Sequence, residues 1–254
     1  MASERKGIPK SRSSPLVVSL SLAGSLFLFL AIRSNSLFLG LIGLGFFFFA
    51  SLSYLITPRW FFRGELIFSL TNSSLSLLSR LMGPGGYRGK GFYIPLEEDI
   101  VAFIPKEETL LYLPKESVGG RTFLRNPEGI VLSAPGGELL KTIENLTGES
   151  FDESELHYSL SLISSAFTEL EISRSFEFLV EGERVFVRME DVIGRGFCKE
   201  MSFNFPEICE RIGCPFCSAI ACAISKSLKK PVIIDSVDLS PDGRVTEVIF
   251  RVLG

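Results

Sequence analysis

The amino-acid sequence predicts an α+β fold in two parts: an N-terminal transmembrane helical hairpin, and a cytosolic domain with an antiparallel sheet and helices on one face. Two observations indicate this. Two uncharged apolar runs follow one another near the N-terminus, and the chain beyond them alternates between helical and strand-like hydrophobic periods. We expect a basic cytosolic tail (1–14), the hairpin (15–57), a juxtamembrane amphipathic helix (58–83) and a soluble domain (84–254).

Each apolar run is long enough to cross a bilayer. Pro15–Ile32 has 18 residues, Leu37–Ile56 has 20, and neither contains a charged residue. A hydrocarbon core about 30 Å thick needs about 20 apolar residues in a helix, and a helix satisfies every backbone polar group within the segment. A spanning hairpin is favoured over a cleaved signal peptide, because no small-x-small site follows the first run.

Basic residues predict which way the hairpin faces. Four of them precede it and two follow it, whereas the turn between its helices holds only Arg33. Positive charge beside spanning segments stays in the cytoplasm, so we expect a two-pass cell-membrane protein with its N-terminus and C-terminal domain inside. The runs contain no ionisable residue of the kind that marks a transport path, which favours an anchor. Gly40, Gly43 and Gly45 would allow close approach to the first helix or to another protomer.

The chain beyond residue 57 is acidic. It has 21 Lys and Arg against 28 Asp and Glu, a net charge of −7. A nucleic-acid-binding domain needs a basic stripe to neutralise phosphates, so no nucleic-acid partner is expected. The partners expected are the lipid bilayer and either a small apolar ligand or a protein.

The juxtamembrane stretch from Phe61 to Met82 is predicted to be a helix. Its leucines recur at three-to-four spacing, and the Gly-Pro-Gly-Gly sequence at 83–86 ends it. The residues of this apolar stripe are Leu66, Leu70, Leu77, Leu78 and Leu81.

The first part of the soluble domain (84–150) is predicted to be β-rich. Short β-type runs separated by charged turns are typical of a meander; they are Gly91–Leu96, Ile100–Pro105, Thr109–Pro114 and Gly129–Ser133. A short helix ended by Gly148 follows the Pro-Gly-Gly sequence at 135–137.

The second part (151–254) is predicted to be helix–hairpin–helix–hairpin. Asp152 and Glu155 have the spacing of a capping box, and the helix after them buries a stripe comprising Leu156, Leu160, Ile163, Phe167 and Leu170. The later elements are strands at 176–180 and 185–189, a helix at Pro215–Lys229, and strands Val232–Leu239 and Arg244–Leu253 joined by a Ser-Pro-Asp-Gly turn.

No residue pattern predicts a reaction, and we expect no catalytic residue. His157 is the only histidine, and it lies on the polar face of its predicted helix. A serine–histidine or cysteine–histidine mechanism within one chain would need that residue in a site. The sequence therefore leans away from an enzyme without excluding one.

All five cysteines fall within 25 residues. Cys214 and Cys217 form a C-x-x-C sequence at a helix start, where the helix dipole favours a thiolate. A redox site is one interpretation. Another is a metal site of Cys198, Cys209, Cys214 and Cys217 holding zinc or an iron–sulfur cluster. Ordinary buried cysteines, with no cofactor, are the interpretation we favour.

An apolar ligand would lie between the helices and the sheet, in a pocket lined by Phe167, Phe176, Phe178, Phe216 and Ile220; a filled core is the alternative. Three functions remain open. The first is a membrane-anchored, non-catalytic binding or sensory module, the second is a thiol-redox or metal-binding membrane protein, and the third is a structural membrane assembly factor.

The sequence from Glu207 to Val252 places a cysteine before a helix of small residues, then a basic-Pro-Val strand entry and a closing hairpin. In this it resembles the end of the 4-vinyl reductase-like domain, with looser similarity back to Asp152. The resemblance implies a small-molecule-binding module, a class that includes sensors of aromatic effectors. Residues 236–250 lack that domain's later cysteine pair, so the resemblance carries no metal or thiol function to this chain.

The chain as a whole resembles an uncharacterised archaeal family of two-helix membrane proteins. The segments that carry this resemblance are GYRGKGFYIP at 86–95 and SAPGGELL at 133–140. The resemblance implies a membrane anchor and no particular activity.

Overall fold

The computed structural model describes residues 15–56, 64–97, 99–108, 113, 118, 120–152, 154–192 and 197–254. The chain divides between residues 62 and 63 into two units. The first is a pair of helices, and the second is an α+β domain.

The first unit consists of helices α1 (Pro15–Ser34) and α2 (Leu37–Ile56). Both are long and apolar enough to span a membrane, and only 6% and 11% of their most apolar stretches are buried within the protein. The two helices approach closely at glycine. A Cβ on Gly43 would lie 3.1 Å from the carbonyl oxygen of Gly24 and 2.8 Å from the Cγ of Leu28, whereas Gly45 has open space around it. Gly43 therefore serves the contact with the first helix.

The second unit is built on one eight-stranded sheet in which every pairing is antiparallel. The strand order is β3-β4-β2-β1-β7-β8-β6-β5. The strands are β1 (Phe92–Pro95), β2 (Ile100–Pro105), β3 (Phe123–Arg125), β4 (Glu128–Ser133), β5 (Ser175–Glu181), β6 (Arg184–Glu190), β7 (Val232–Leu239) and β8 (Val245–Val252). The pairing of β1 with β7 brings Tyr93 opposite Val232, so the β-rich part and the C-terminal part share a single sheet.

In the part of this unit that the structure describes there are six helices: α3 (Gly64–Met82), α4 (Gly137–Thr147), α5 (Leu156–Glu169), α6 (Phe197–Asn204), α7 (Pro206–Arg211) and α8 (Pro215–Leu228). Helix α8 lies across the central strands β1, β7 and β8, and α5 packs on β5 and on α8. All six helices contribute buried side chains to one large core on this face of the sheet. The stretch from Pro206 to Leu228 is also apolar enough to span a membrane, but 83% of it is buried within this domain, so it is core.

The other face of the sheet is covered only in part. Side chains alternate between the faces along a strand, so Ala102 and Ile104 of β2 enter the large core, whereas Phe103 lies in a small cluster on the opposite face. Val118 and Leu124 belong to that small cluster. The predicted α+β class with an antiparallel sheet is confirmed.

Most predicted elements form within a residue or two of their expected bounds, because hydrophobic period and turn residues act locally. Ile100–Pro105 and Val232–Leu239 form strands over the residues predicted. Residues 61–63 of the predicted juxtamembrane helix, and all of the predicted strand Thr109–Pro114 except Leu113, lie outside the described residues.

Several expectations about local structure are wrong. Helices α6 and α7 and strand β3 were not predicted. Helix α5 begins after Glu155, which provides no side-chain cap, so Asp152 and Glu155 form no capping box there. The buried face of α3 contains Leu75 and Met82, while Leu77 is 62% exposed; α7 contacts α3, and the face turned to α7 decides which leucines are covered.

Candidate functional site

The cysteines come from three consecutive helices that pack together over the sheet. Cys198 lies on α6, Cys209 on α7, and Cys217 and Cys222 on α8, with Cys214 capping the start of α8. All five are buried free thiols. Pro215 occupies the first turn of α8, where its fixed φ suits a helix start, and Gly213 before it has φ +69°.

Two of these thiols are in direct contact, and a third influences one of them. The Sγ of Cys214 donates a hydrogen bond to the Sγ of Cys217 at 3.5 Å. Cys198 and Cys214 lie near enough to shift each other's pKa. We call Cys198, Cys214 and Cys217 the thiol group. Cys222 instead interacts with the hydroxyl of Ser218.

Burial and neighbouring thiols favour the protonated form of Cys198, Cys209 and Cys214. The interaction with the Cys214 sulfur and burial raise the pKa of Cys198. For Cys214, the hydrogen bond with Cys198 lowers the pKa, but the bond with Cys217 and burial raise it further, so the pKa lies well above the usual value. Burial raises the pKa of Cys209 to about 12, helped by Cys198 and Glu210. Since the thiolate is the nucleophile, these thiols react slowly at neutral pH as long as the fold keeps them buried.

Metal binding receives no support from the arrangement. Among the residues that the structure describes, no three or more His, Cys, Asp or Glu side chains are placed so that they could hold a metal ion. Zinc or an iron–sulfur cluster at Cys198, Cys209, Cys214 and Cys217 stays a prediction without geometric backing.

The aromatic residues predicted to line an apolar pocket lie together in the core. Phe167 meets Phe176 edge to face with ring centres 5.5 Å apart, and Phe216 edge to face at 6.3 Å. Ile220 is fully buried, and Phe178 is half-buried. Rings in mutual contact occupy the space that a ligand would need, which favours the filled-core alternative over a ligand pocket at this position.

His157 is exposed on α5, as expected, with its ring centre 5.8 Å from that of Phe178.

An open cleft of about 500 Å³ lies beside the cysteines and was not predicted. Helices α6 and α7 form one wall, β7 forms another, and the segment before β1 contributes Arg88 and Lys90. The thiol of Cys209 borders this cleft. Its volume falls within the roughly 300–1,000 Å³ typical of small-molecule sites.

The cleft carries charges of both signs. Lys90 donates hydrogen bonds to the backbone carbonyls of Ile234 and Asp235, and the guanidinium of Arg211 donates to the carbonyl of Tyr87 at 2.6 Å. These two cations are therefore fixed in place by the backbone.

The rim of the cleft carries charged side chains that form no ion pair with other described residues. Arg88, Glu108 and Glu210 are exposed there and take part in no ion pair within the described ranges. Arg88 and Lys90 stand between glycines in the GYRGKGFYIP segment, and that spacing is the one sequence signal that could have pointed to the cleft.

Comparison with known proteins gives a family and no activity. A family model described as a domain of unknown function (DUF7982) matches residues 15–250, and the chain belongs to that family. No curated protein and no solved structure matches it. The resemblances to the 4-vinyl reductase-like domain and to an archaeal two-helix family therefore stay predictions.

Proposed function

We propose that this member of the DUF7982 family is a membrane-anchored binding module, in which α1 and α2 are the anchor and the α+β domain binds a small charged ligand. The cleft beside α7 is the observation that carries this proposal. Its size suits a small molecule, its cationic side walls are fixed by backbone hydrogen bonds, and the guanidinium of Arg88 lies on its rim without an ion pair in the described part of the chain. The proposed function is binding without catalysis.

The ligand class follows from the lining of the cleft. The sequence left open an apolar ligand among the phenylalanines or a filled core, and those rings pack on one another. The cleft offers Arg88 to an anionic group, and Glu108 and Glu210 to a cationic one. A small molecule bearing a carboxylate or phosphate, with or without an amine, matches that pattern because charge-assisted hydrogen bonds hold such groups strongly.

The orientation that we propose places the N-terminus and the α+β domain in the cytoplasm, on the basis of the flanking basic residues. It can be tested with a membrane-impermeant maleimide, because the native cysteines are buried. Ser34→Cys, at the exposed end of α1 beside the hairpin turn, should be labelled in intact cells. Glu149→Cys, in the exposed loop after α4, should be labelled only after permeabilisation. Labelling of Glu149→Cys in intact cells would overturn the orientation.

Ligand binding can be tested by thermal unfolding of the full chain in detergent, with a panel of small carboxylates, phosphates and zwitterions. A compound at about 100 times its Kd should stabilise the fold by about 2.7 kcal/mol. Arg88→Ala should abolish that gain. Arg125→Ala, which removes an exposed arginine on edge strand β3, is the matched control and should keep it. If no compound in the panel stabilises the chain, or if Arg88→Ala binds normally, the cleft is not the ligand site.

A further inference from the structure

We propose that Cys214 and Cys217 form a reversible dithiol–disulfide site, and that oxidising equivalents reach it from the cleft through Cys209 and Cys198. This goes beyond ligand binding and does not depend on it. The Sγ atoms of Cys214 and Cys217 are in hydrogen-bond contact, and both residues are buried at the start of α8. Cys198 on α6 is near enough to Cys214 for the two thiols to shift each other's pKa.

The sulfurs of Cys214 and Cys217 are 3.5 Å apart, and a disulfide bond is about 2.05 Å long. The two sulfurs must approach by about 1.5 Å to close the bond, and both lie at the start of α8. Cys222 supplies an internal contrast. It is equally buried on the same helix, but it interacts with Ser218, and no contact of Cys222 with another thiol occurs in the described structure.

Access decreases from the cleft inward. Cys209 borders the cleft and is 8% exposed, Cys198 is 6% exposed, and Cys217 is 1% exposed. Cys209 and Cys198 lie on α7 and α6, which pack against each other. A reagent in the cleft therefore reaches Cys209 first, and the Cys214–Cys217 pair at the start of α8 is oxidised last.

The reaction is thiol–disulfide exchange with a low-molecular-weight disulfide as oxidant. The thiolate of Cys209 attacks one sulfur of the small disulfide, which releases one small thiol and leaves a mixed disulfide on Cys209. Cys198 then attacks the Cys209 sulfur, which forms a 198–209 disulfide and releases the second small thiol.

The bond then moves inward by the same chemistry. Cys214 attacks Cys198 and frees Cys209, and Cys217 attacks Cys214 and frees Cys198. Two electrons and two protons pass in total from Cys214 and Cys217 to the small disulfide. The product is one intramolecular disulfide and two small thiols, and Cys209 and Cys198 end as thiols.

The raised pKa of Cys209 determines how fast the thiol–disulfide exchange runs, and not which disulfide forms at the end. Burial keeps the pKa of Cys209 at about 12, so the thiolate fraction at neutral pH is small and the exchange is slow. Such a site responds to a sustained change in the surrounding thiol–disulfide ratio rather than to a brief one.

The test uses the full chain in detergent, incubated with oxidised glutathione, alkylated and digested with trypsin without reduction. Trypsin cuts after Arg211 and Lys226, and the peptide between them contains Cys214, Cys217 and Cys222. We expect this peptide to lose two hydrogens in mass. In Cys222→Ser, the matched control, the same loss must occur and can only be the 214–217 bond.

Two further variants test the route through Cys209 and the Cys214–Cys217 pair independently. Cys209→Ser should slow the oxidation about tenfold while leaving the 214–217 bond as the end product. Cys217→Ser should yield a 198–214 crosslink or a glutathione adduct in place of the intrapeptide bond, and circular dichroism before oxidation verifies that it is folded.

The wild-type digest decides the proposal even if a variant fails to fold. If the folded wild-type chain keeps all five thiols alkylatable after oxidation, or if its bond involves Cys222, the dithiol site is wrong. An unchanged rate in folded Cys209→Ser would overturn the route through the cleft.

Discussion

The hydroxyl of Tyr93 donates a hydrogen bond to the backbone carbonyl of Ile212 at 2.5 Å. Both residues are fully buried. Tyr93 belongs to central strand β1, and Ile212 ends α7, two residues before Cys214. This single contact therefore positions the cysteine-bearing turn against the middle of the sheet.

We predict that Tyr93→Phe destabilises the domain by about 1–3 kcal/mol, because the carbonyl of Ile212 loses its donor in a dry site. Thermal unfolding of the full chain in detergent measures this. Tyr158→Phe is the control; that ring is half exposed on α5, and the change should alter stability by less than about 0.5 kcal/mol. Equal effects of the two substitutions would contradict the role of the Ile212 contact.

A second prediction concerns the contact between α4 and α8. A Cβ on Gly136 would lie 2.0 Å from the backbone nitrogen of Ala219 and 2.5 Å from the carbonyl oxygen of Pro215. The Gly136 N–H also donates to the hydroxyl of Ser218 at 2.8 Å. Backbone atoms cannot give way as a flexible side chain does, so Gly136→Ala should cost at least about 1–3 kcal/mol.

The neighbouring glycine is the matched control for this prediction. A Cβ on Gly137 meets only the Cβ of Ala134, at 3.8 Å, and Gly137 is the first residue of α4. Gly137→Ala should therefore be neutral or stabilise the helix by up to about 1 kcal/mol. The order of stability Gly137→Ala, wild type, Gly136→Ala in thermal unfolding is the expected result, and any other order contradicts the close approach.

The ion pair between Glu144 and Lys226 supports the same interface. The Oε1 of Glu144 lies 2.7 Å from the Nζ of Lys226 and also accepts the backbone N–H of Phe151 at 3.0 Å. Both side chains are largely buried. Glu144→Ala leaves the ammonium with the more distant carboxylate of Asp152 at 3.8 Å and removes the acceptor of the Phe151 N–H, so we expect a loss of about 2–4 kcal/mol.

A surface carboxylate on the same helix is the comparison for Glu144. Glu138 lies 3.1 Å from Lys141, and both are well exposed. Exposed pairs contribute about 0–1 kcal/mol, so Glu138→Ala should shift the unfolding temperature little. A similar loss for both variants would show that burial does not set the strength of the Glu144 pair.

Alkaline pH should destabilise the domain through its buried thiols and Tyr93. Burial raises the pKa of Cys209 to about 12 and that of Tyr93 well above its usual value, whereas an unfolded thiol ionises near about 8.5. The folded pKa exceeds the unfolded one, so the contribution is fully present below about pH 8.5 and is lost as the pH rises towards about 12. Each such thiol contributes a slope of about 1.4 kcal/mol per pH unit in that window.

Thermal unfolding of the full chain between about pH 7 and about pH 11 measures this loss. Cys209→Ser should flatten the slope by about one proton relative to wild type. A stability that stays constant through this range would contradict the protonated, buried state of these thiols.

Local patterns were sufficient to predict most of the elements. Gly148 ends α4 in the left-handed conformation with φ +71°, and alternation along 176–180 and 185–189 marks both strands of the β5–β6 hairpin. Such signals act over a few residues and need no partner elsewhere in the chain. Helices α6 and α7 were missed because they are short, at eight and six residues, and their boundaries are set by packing over the sheet.

The candidate site was predicted only in its cysteines, and only as alternatives. Residue spacing named Cys198, Cys209, Cys214 and Cys217, but it could not place them relative to one another. Cys198 and Cys214 shift each other's pKa although they are 16 residues apart in sequence. Likewise, the cleft brings Arg88 together with Cys209 across 121 residues of sequence, and no periodicity encodes such a distance.

The sequence by itself determined that two helices are apolar enough to span a membrane and that an α+β domain follows them, because segment length, hydropathy and period are local properties of a chain. The tertiary structure alone decided that β1 pairs with β7, that Phe167 packs on Phe176 and Phe216, and that a charged cleft opens beside Cys209. Those features depend on which surfaces meet when distant segments pack, and close packing leaves only a few arrangements free of clashes and voids.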